Sequence, residues 1–166
     1  MLKLLSILLL AAVGLFLVSC AEITPPPTAA TTRGHVQKVR TTAYSHDEGT
    51  GSRNAIGRRL SGGGLRSAAS DWSRFPLGTH FKVLSNGEEY IIDDYGGALV
   101  GTDTIDLYKS PRDMRRWGVK HVEIEILRWG SEEESLRILR PRRRVGIVRR
   151  MIASLEKKEE EKRKKT

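Results

Sequence analysis

The feature that most restricts the fold is "VKHVEIEIL", residues 119–127. Val122, Ile124 and Ile126 alternate strictly with His121, Glu123 and Glu125, a period of two that fits a strand and not a helix. One face must pack while the other meets water. Similar short runs precede it: "VQKVRTTAYS" is rich in Val and Thr, and "HFKVLS" and "EYIIDD" flank the turn sequence "NGE". One helical signal interrupts them. In "SPRDMRRWG", Ser110 is placed to cap, Pro111 to open, Asp113 to occupy the first turn and Gly118 to stop a helix of about two turns. The pattern predicts a mainly β domain closed as a barrel with one short helix, not an alternating βα fold.

Two terminal segments stand apart from this core. Lys3 precedes an apolar run over 4–18, which ends in "LVSC" with Cys20 last. This is the h-region and small-residue pattern of an export signal, too short for a membrane span. Cys20 is the only cysteine, which excludes an intramolecular disulfide and a multi-cysteine zinc site. "LVSC" resembles the bacterial lipobox, which implies a lipoprotein signal over 1–19 and acylation of Cys20. An ordinary signal peptide or an uncleaved anchor is the plainer alternative. Ala21, rather than Asp, after the cysteine resembles the sorting pattern for the outer membrane. Residues 20–34 then form a lipidated cysteine and a Pro/Thr-rich tether, extended by "PPP" and nearly free of large apolar side chains.

The net charge of +9 is concentrated at the other end. Residues 131–166 carry 13 Lys/Arg against 7 Glu, so most of the excess lies in a charged helical tail. Acids lead its first segment and Arg137 and Arg140 end it, as a helix dipole favours. Pro141 breaks it, and a second amphipathic helix from about Arg143 would align Val145, Val148, Ile152 and Leu155. The last ten residues, nearly all charged, read as frayed or disordered. Export argues against a nucleic-acid partner. A solvated helix is the first reading of this tail, with contact to anionic lipid or an anionic cell-wall polymer the functional one.

Within 35–130 four blocks follow in order: "TAY", "SAASDWSRFPLGTHFKV", "DDYGGALVGTDTIDLY" and "WGVKHVEIEIL". Over residues 40–129 this order resembles the 3D domain, named for three aspartates and found in MltA-type lytic transglycosylases and in cell-wall proteins of spore formers. The resemblance implies a six-stranded double-psi β-barrel. It also implies that Asp71, Asp94 and Asp106 are the three aspartates. The interval between Asp94 and Asp106 is one residue longer than is usual there, and Asp103 has no counterpart.

The implied activity is cleavage of the MurNAc–GlcNAc bond of peptidoglycan to 1,6-anhydro ends. One carboxyl acts first as acid and then as base, where ordinary glycosidases use two carboxylates and water. Such an acid must stay protonated near neutrality, which burial and nearby negative charge promote. By the resemblance Asp106 is the acid/base, Asp94 raises its pKa and orients it, and Asp71 supports the site. Tyr44 lines the groove, and Gly96, Gly97 and Gly101 admit the sugar to backbone amides. Trp72, beside Asp71, is a candidate platform, although Trp72, Trp117 and Trp129 all read first as core or rim packing. His46, His80 and His121 are scattered and read as surface or hydrogen-bonding residues.

No metal or cofactor is called for. A calcium site of Asp93, Asp94, Asp103 and Asp106 is chemically conceivable but follows no recognised loop spacing. Asp93 and Asp103 read as local turn residues. The long polar stretch 46–64 reads as a loop framing a groove. The rival to catalysis is a barrel that binds peptidoglycan without cleaving it, or a structural envelope tether.

Overall fold

A computed structural model describes residues 35–48 and 51–165. Six strands, β1 (His35–Tyr44), β2 (Leu65–Ala69), β3 (His80–Val83), β4 (Glu89–Asp94), β5 (Thr104–Tyr108) and β6 (Lys120–Arg128), close into a barrel in the order β1-β5-β2-β4-β3-β6. The pairs β1/β5 and β2/β4 are parallel and the other four antiparallel. Closure leaves no free edge. The predicted lipoprotein signal, Cys20 and the predicted tether lie outside the described residues.

The predicted patterning is present in the strands. Val122, Ile124 and Ile126 of β6 are buried while His121 and Glu123 are exposed. They meet Val39, Phe81, Val83, Tyr90, Ile92, Ile105 and Leu107 in the barrel interior. The "NGE" turn joins antiparallel β3 and β4 through Gly87, whose φ of +71° suits a residue without a Cβ. Helix α1 (Pro111–Trp117) follows the predicted signals: Ser110 accepts the Asp113 N–H at 3.2 Å, and Gly118 ends it.

The C-terminal segment departs from the solvated reading. Helix α2 (Glu132–Leu139) and helix α3 (Gly146–Lys165) are joined by a 3-10 turn at Arg140–Arg142. Their apolar sides, Leu136 and Leu139 from α2 and Val148, Met151, Ile152 and Leu155 from α3, belong to the same buried cluster as the barrel. The helix pair therefore closes the core instead of trailing from it. Val145 was expected on that apolar side but lies ahead of the helix and is 51% exposed. The charged end is helical through Lys165, with Lys164 2.7 Å from Glu160 and Lys157 4.0 Å from Glu161 at the i,i+4 spacing.

Attachment runs through the segment 71–79. The Leu77 N–H donates to Ser135 Oγ at 2.9 Å, the Ser131 N–H to the Leu77 carbonyl at 3.0 Å, and Lys158 Nζ to the Ser73 carbonyl. Gly130 makes the approach possible. A Cβ there would stand 2.3 Å from the Leu77 oxygen and 2.4 Å from the Pro76 oxygen.

Residues 53–59, within the predicted loop, are more ordered than their sequence suggests. Arg53 and Arg59 pair as an antiparallel bridge, the Asn54 N–H donates to the Arg58 carbonyl at 2.8 Å, and Gly57 turns with φ +81°. They form a small hairpin.

Candidate functional site

Strand pairing brings two of the three predicted aspartates together. Ala69 of β2 is the register partner of Asp106 on β5 and, across a bulge between Ala68 and Ala69, of Asp94 on β4. The bulge skips Asp93, so that Asp94 and not its neighbour lies opposite Ala69. The parallel partner β1 supplies Thr42, opposite Asp106, and Tyr44 two residues on. A cleft of about 180 Å³ results, lined by Tyr44, Glu48, Ala69, Asp94, Tyr95, Gly96 and Asp106.

Each carboxyl is held differently. Asp94 Oδ1 accepts the backbone N–H groups of Ala55 (3.0 Å) and Tyr95 (2.9 Å), and its Oδ2 lies 3.5 Å from the Tyr44 hydroxyl, which donates to it. Asp106 Oδ1 accepts from the Thr42 hydroxyl at 2.6 Å. Burial is the largest influence on both. It lifts Asp94 to about 6 against the pull of its two amides, and it raises Asp106 above the ordinary aspartate range. The neighbouring charge that raises Asp106 further is Glu48, while Arg40 opposes it; the sequence assigned that influence to Asp94. Tyr44 is driven upward by burial and then by Asp94, Asp93 and Asp106, so its phenol keeps its proton.

Asp93 points to a different task. Its Oδ2 accepts from Ser67 Oγ (2.7 Å) and Asn54 Nδ2 (2.8 Å), while its Oδ1 is buried without a partner. Burial raises its pKa as well, outweighing those two hydrogen bonds. The consecutive aspartates thus hold consecutive residues of the 53–59 hairpin: Asp93 takes Asn54 and Asp94 takes Ala55. Arg142, beyond α2, donates to the Ala55 carbonyl at 2.8 Å and so holds the next peptide unit of the same residue.

Other predicted residues lie off the cleft. Asp71 is buried, with Oδ1 accepting from the Ser73 N–H (2.8 Å) and hydroxyl (2.7 Å) and Oδ2 from the Gly101 N–H (2.7 Å). It ties the 71–75 turn to the turn before β5 and does not line the cleft. Trp72 is completely buried; its Nε1 donates to the Asp94 carbonyl at 2.8 Å and its ring meets Tyr95 edge-on at 5.1 Å. Its faces are packed, which leaves no platform for a sugar. Gly97 is exposed and faces Ile147, whereas Gly96 sits in the cleft against Leu99. Asp103 pairs with Arg74, so Asp93, Asp94, Asp103 and Asp106 do not converge on one point.

Glu48, Tyr95 and Thr42 were not singled out from the sequence. Thr42 and Tyr44 alternate on β1, which was the available sign for Thr42; Glu48 depends on the course of a loop.

No known family matches the chain, and no curated protein matches it either. Fold and cleft geometry alone therefore define its class among the described residues: a closed six-stranded mixed barrel with two half-buried carboxyls and a phenol at one small cleft.

Proposed function

We propose that the protein is a 3D-domain lipoprotein of the cell envelope. Its barrel, of double-psi type, acts on peptidoglycan glycan strands as a lytic transglycosylase. The observation that carries this reading is the pairing of Asp94 and Asp106 at one cleft, both biased by burial toward the protonated form. The six strands and their mix of parallel and antiparallel pairs support the barrel type. In this reading Cys20 is acylated and holds the barrel at the outer membrane, facing the periplasm.

Asp106 is the acid/base. Thr42 holds one of its oxygens, which leaves the other to donate a proton to the glycosidic oxygen of the leaving GlcNAc. The resulting carboxylate then takes the proton of the muramic C6 hydroxyl as that oxygen bonds to C1, and the acid is regenerated. Asp94 is fixed by two amides and positions Tyr44 across the cleft. Glu48, by raising Asp106, keeps the acid charged with its proton.

The size of the cleft favours a second reading. At about 180 Å³ it is smaller than the roughly 300 Å³ at which ligand pockets usually begin. It suits a single sugar unit, as in a barrel that binds strands without cutting them. Incubating the full chain with purified sacculi separates the two. Cleavage predicts released 1,6-anhydro ends that disappear with Asp106→Asn. Sedimentation with sacculi but no released products leaves the binding barrel, and neither outcome defeats the peptidoglycan assignment.

A further inference from the structure

We propose that the arginine corner between α2 and α3 is a docking face for the phosphate groups of an anionic bilayer. This rests on the envelope-lipoprotein reading above and assigns that protein a second membrane contact.

Residues 140–150 contain six arginines and no acid. Two are engaged: Arg140 lies 3.4 Å from Glu156, and Arg142 donates to the Ala55 carbonyl. The guanidinium groups of Arg143, Arg144, Arg149 and Arg150 have no protein acceptor among the described residues, and all four side chains are exposed. The lysines further along α3 contrast with them, since Lys157, Lys158, Lys162 and Lys164 each have a glutamate within 4.0 Å. Four of the six cations beyond Leu155 are thus paired with glutamate, whereas these four arginines at the corner are not.

The corner is also shaped. Arg140, Arg143, Arg144 and Arg149 line a concavity of about 490 Å³ together with Ile152 and Glu156, and that carboxylate is already paired with Arg140. Guanidinium is planar and weakly hydrated, and its donor fork matches phosphate oxygens two at a time. Val145 projects between Arg144 and Gly146 with 51% of its surface exposed. An apolar side chain among arginines suits a headgroup boundary, where the cations meet phosphate and the apolar group enters the acyl edge. A soluble polyanion offers Val145 nothing. Val148, Met151 and Leu155 anchor the helix to the core, so the face is presented without a folding cost.

Geometry allows the contact. Fourteen residues, 21–34, separate Cys20 from β1 and span at most about 50 Å. A folded unit of this size has a radius of gyration of about 14 Å. Any face of the domain can therefore reach the surface that holds residue 20.

The test is hydrogen exchange on the full chain in nanodiscs of phosphatidylcholine alone or of phosphatidylcholine with phosphatidylglycerol. Exchange over 140–147 is expected to slow several-fold only on the phosphatidylglycerol discs, and to recover in high salt. Replacing Arg143, Arg144 and Arg149 by Gln should lower the docking equilibrium by about a hundredfold and remove the protection. The substitutions are at exposed positions, and an unchanged melting temperature confirms the fold. Equal exchange on both discs overturns the proposal, as does protection that survives the three substitutions. Equal slowing by inorganic polyphosphate with phosphatidylcholine discs assigns the face to a soluble phosphate polymer and overturns the bilayer. Failure to stay on phosphatidylcholine discs counts against the Cys20 anchor, while phosphatidylglycerol-dependent capture would still support the arginine face.

Discussion

Asp94 is the residue whose surroundings most directly predict behaviour. Its folded pKa, about 6, stands above the ordinary value of 3.8, so folding favours its protonated form. The stability it contributes is fully present below pH 4 and is lost as pH rises through 6. Thermal melts of the parent and of Asp94→Asn across that window should show the parent losing stability relative to the variant as pH increases. A constant gap would mean that Asp94 is not withdrawn from water as described. Gly130 gives an independent prediction. Backbone atoms of Pro76, Leu77 and Thr79 occupy the space a Cβ would need, and backbone cannot step aside as a flexible side chain can. Gly130→Ala should cost about 3 kcal/mol or more, a fall in melting temperature on the order of ten degrees.

At the level of elements, α3 is as much a part of the core as any strand. Leu155 is fully buried twenty-seven positions beyond the end of β6, and truncating it to Ala should destabilise the whole domain by about 2–5 kcal/mol, measured by denaturant unfolding. If α3 were an independent appendage, the barrel would unfold unchanged. The sequence made β1, β3, β4, β6 and α1 legible because their signals are local: alternation in β6, the Asn-Gly turn before β4, and the Ser110 cap; β2 carries no such signal. It showed that Val148, Ile152 and Leu155 share a helix side, but not what covers that side. The partner surface is assembled from β-strand and 71–79 residues remote in sequence. The hairpin at 53–59 was hidden for a related reason. Beside its own short-range bonds it is held by Asp93, Asp94 and Arg142, none of which is a neighbour in the chain.

For the molecule as a whole, the candidate site was half legible. The pairing of Asp94 with Asp106 and the place of Tyr44 and Gly96 emerge from ordered motifs. The separation of Asp71 and Trp72 from the cleft required the closed topology, which turns both inward as structural ties. Closure also gives β1 a mechanical position. Residue 34 leads directly into its first residue, His35, and Tyr44 at its last residue lines the cleft. If, as proposed, residues 20–34 tether the barrel and the cleft holds a glycan, a load between the two would run lengthwise along this ten-residue strand. Its ladders to β5 and β6 would be strained in shear, many hydrogen bonds at once, rather than opened one by one. Under the proposed envelope reading, β1 would then be a tension member, loaded along its length by a glycan moving relative to the membrane.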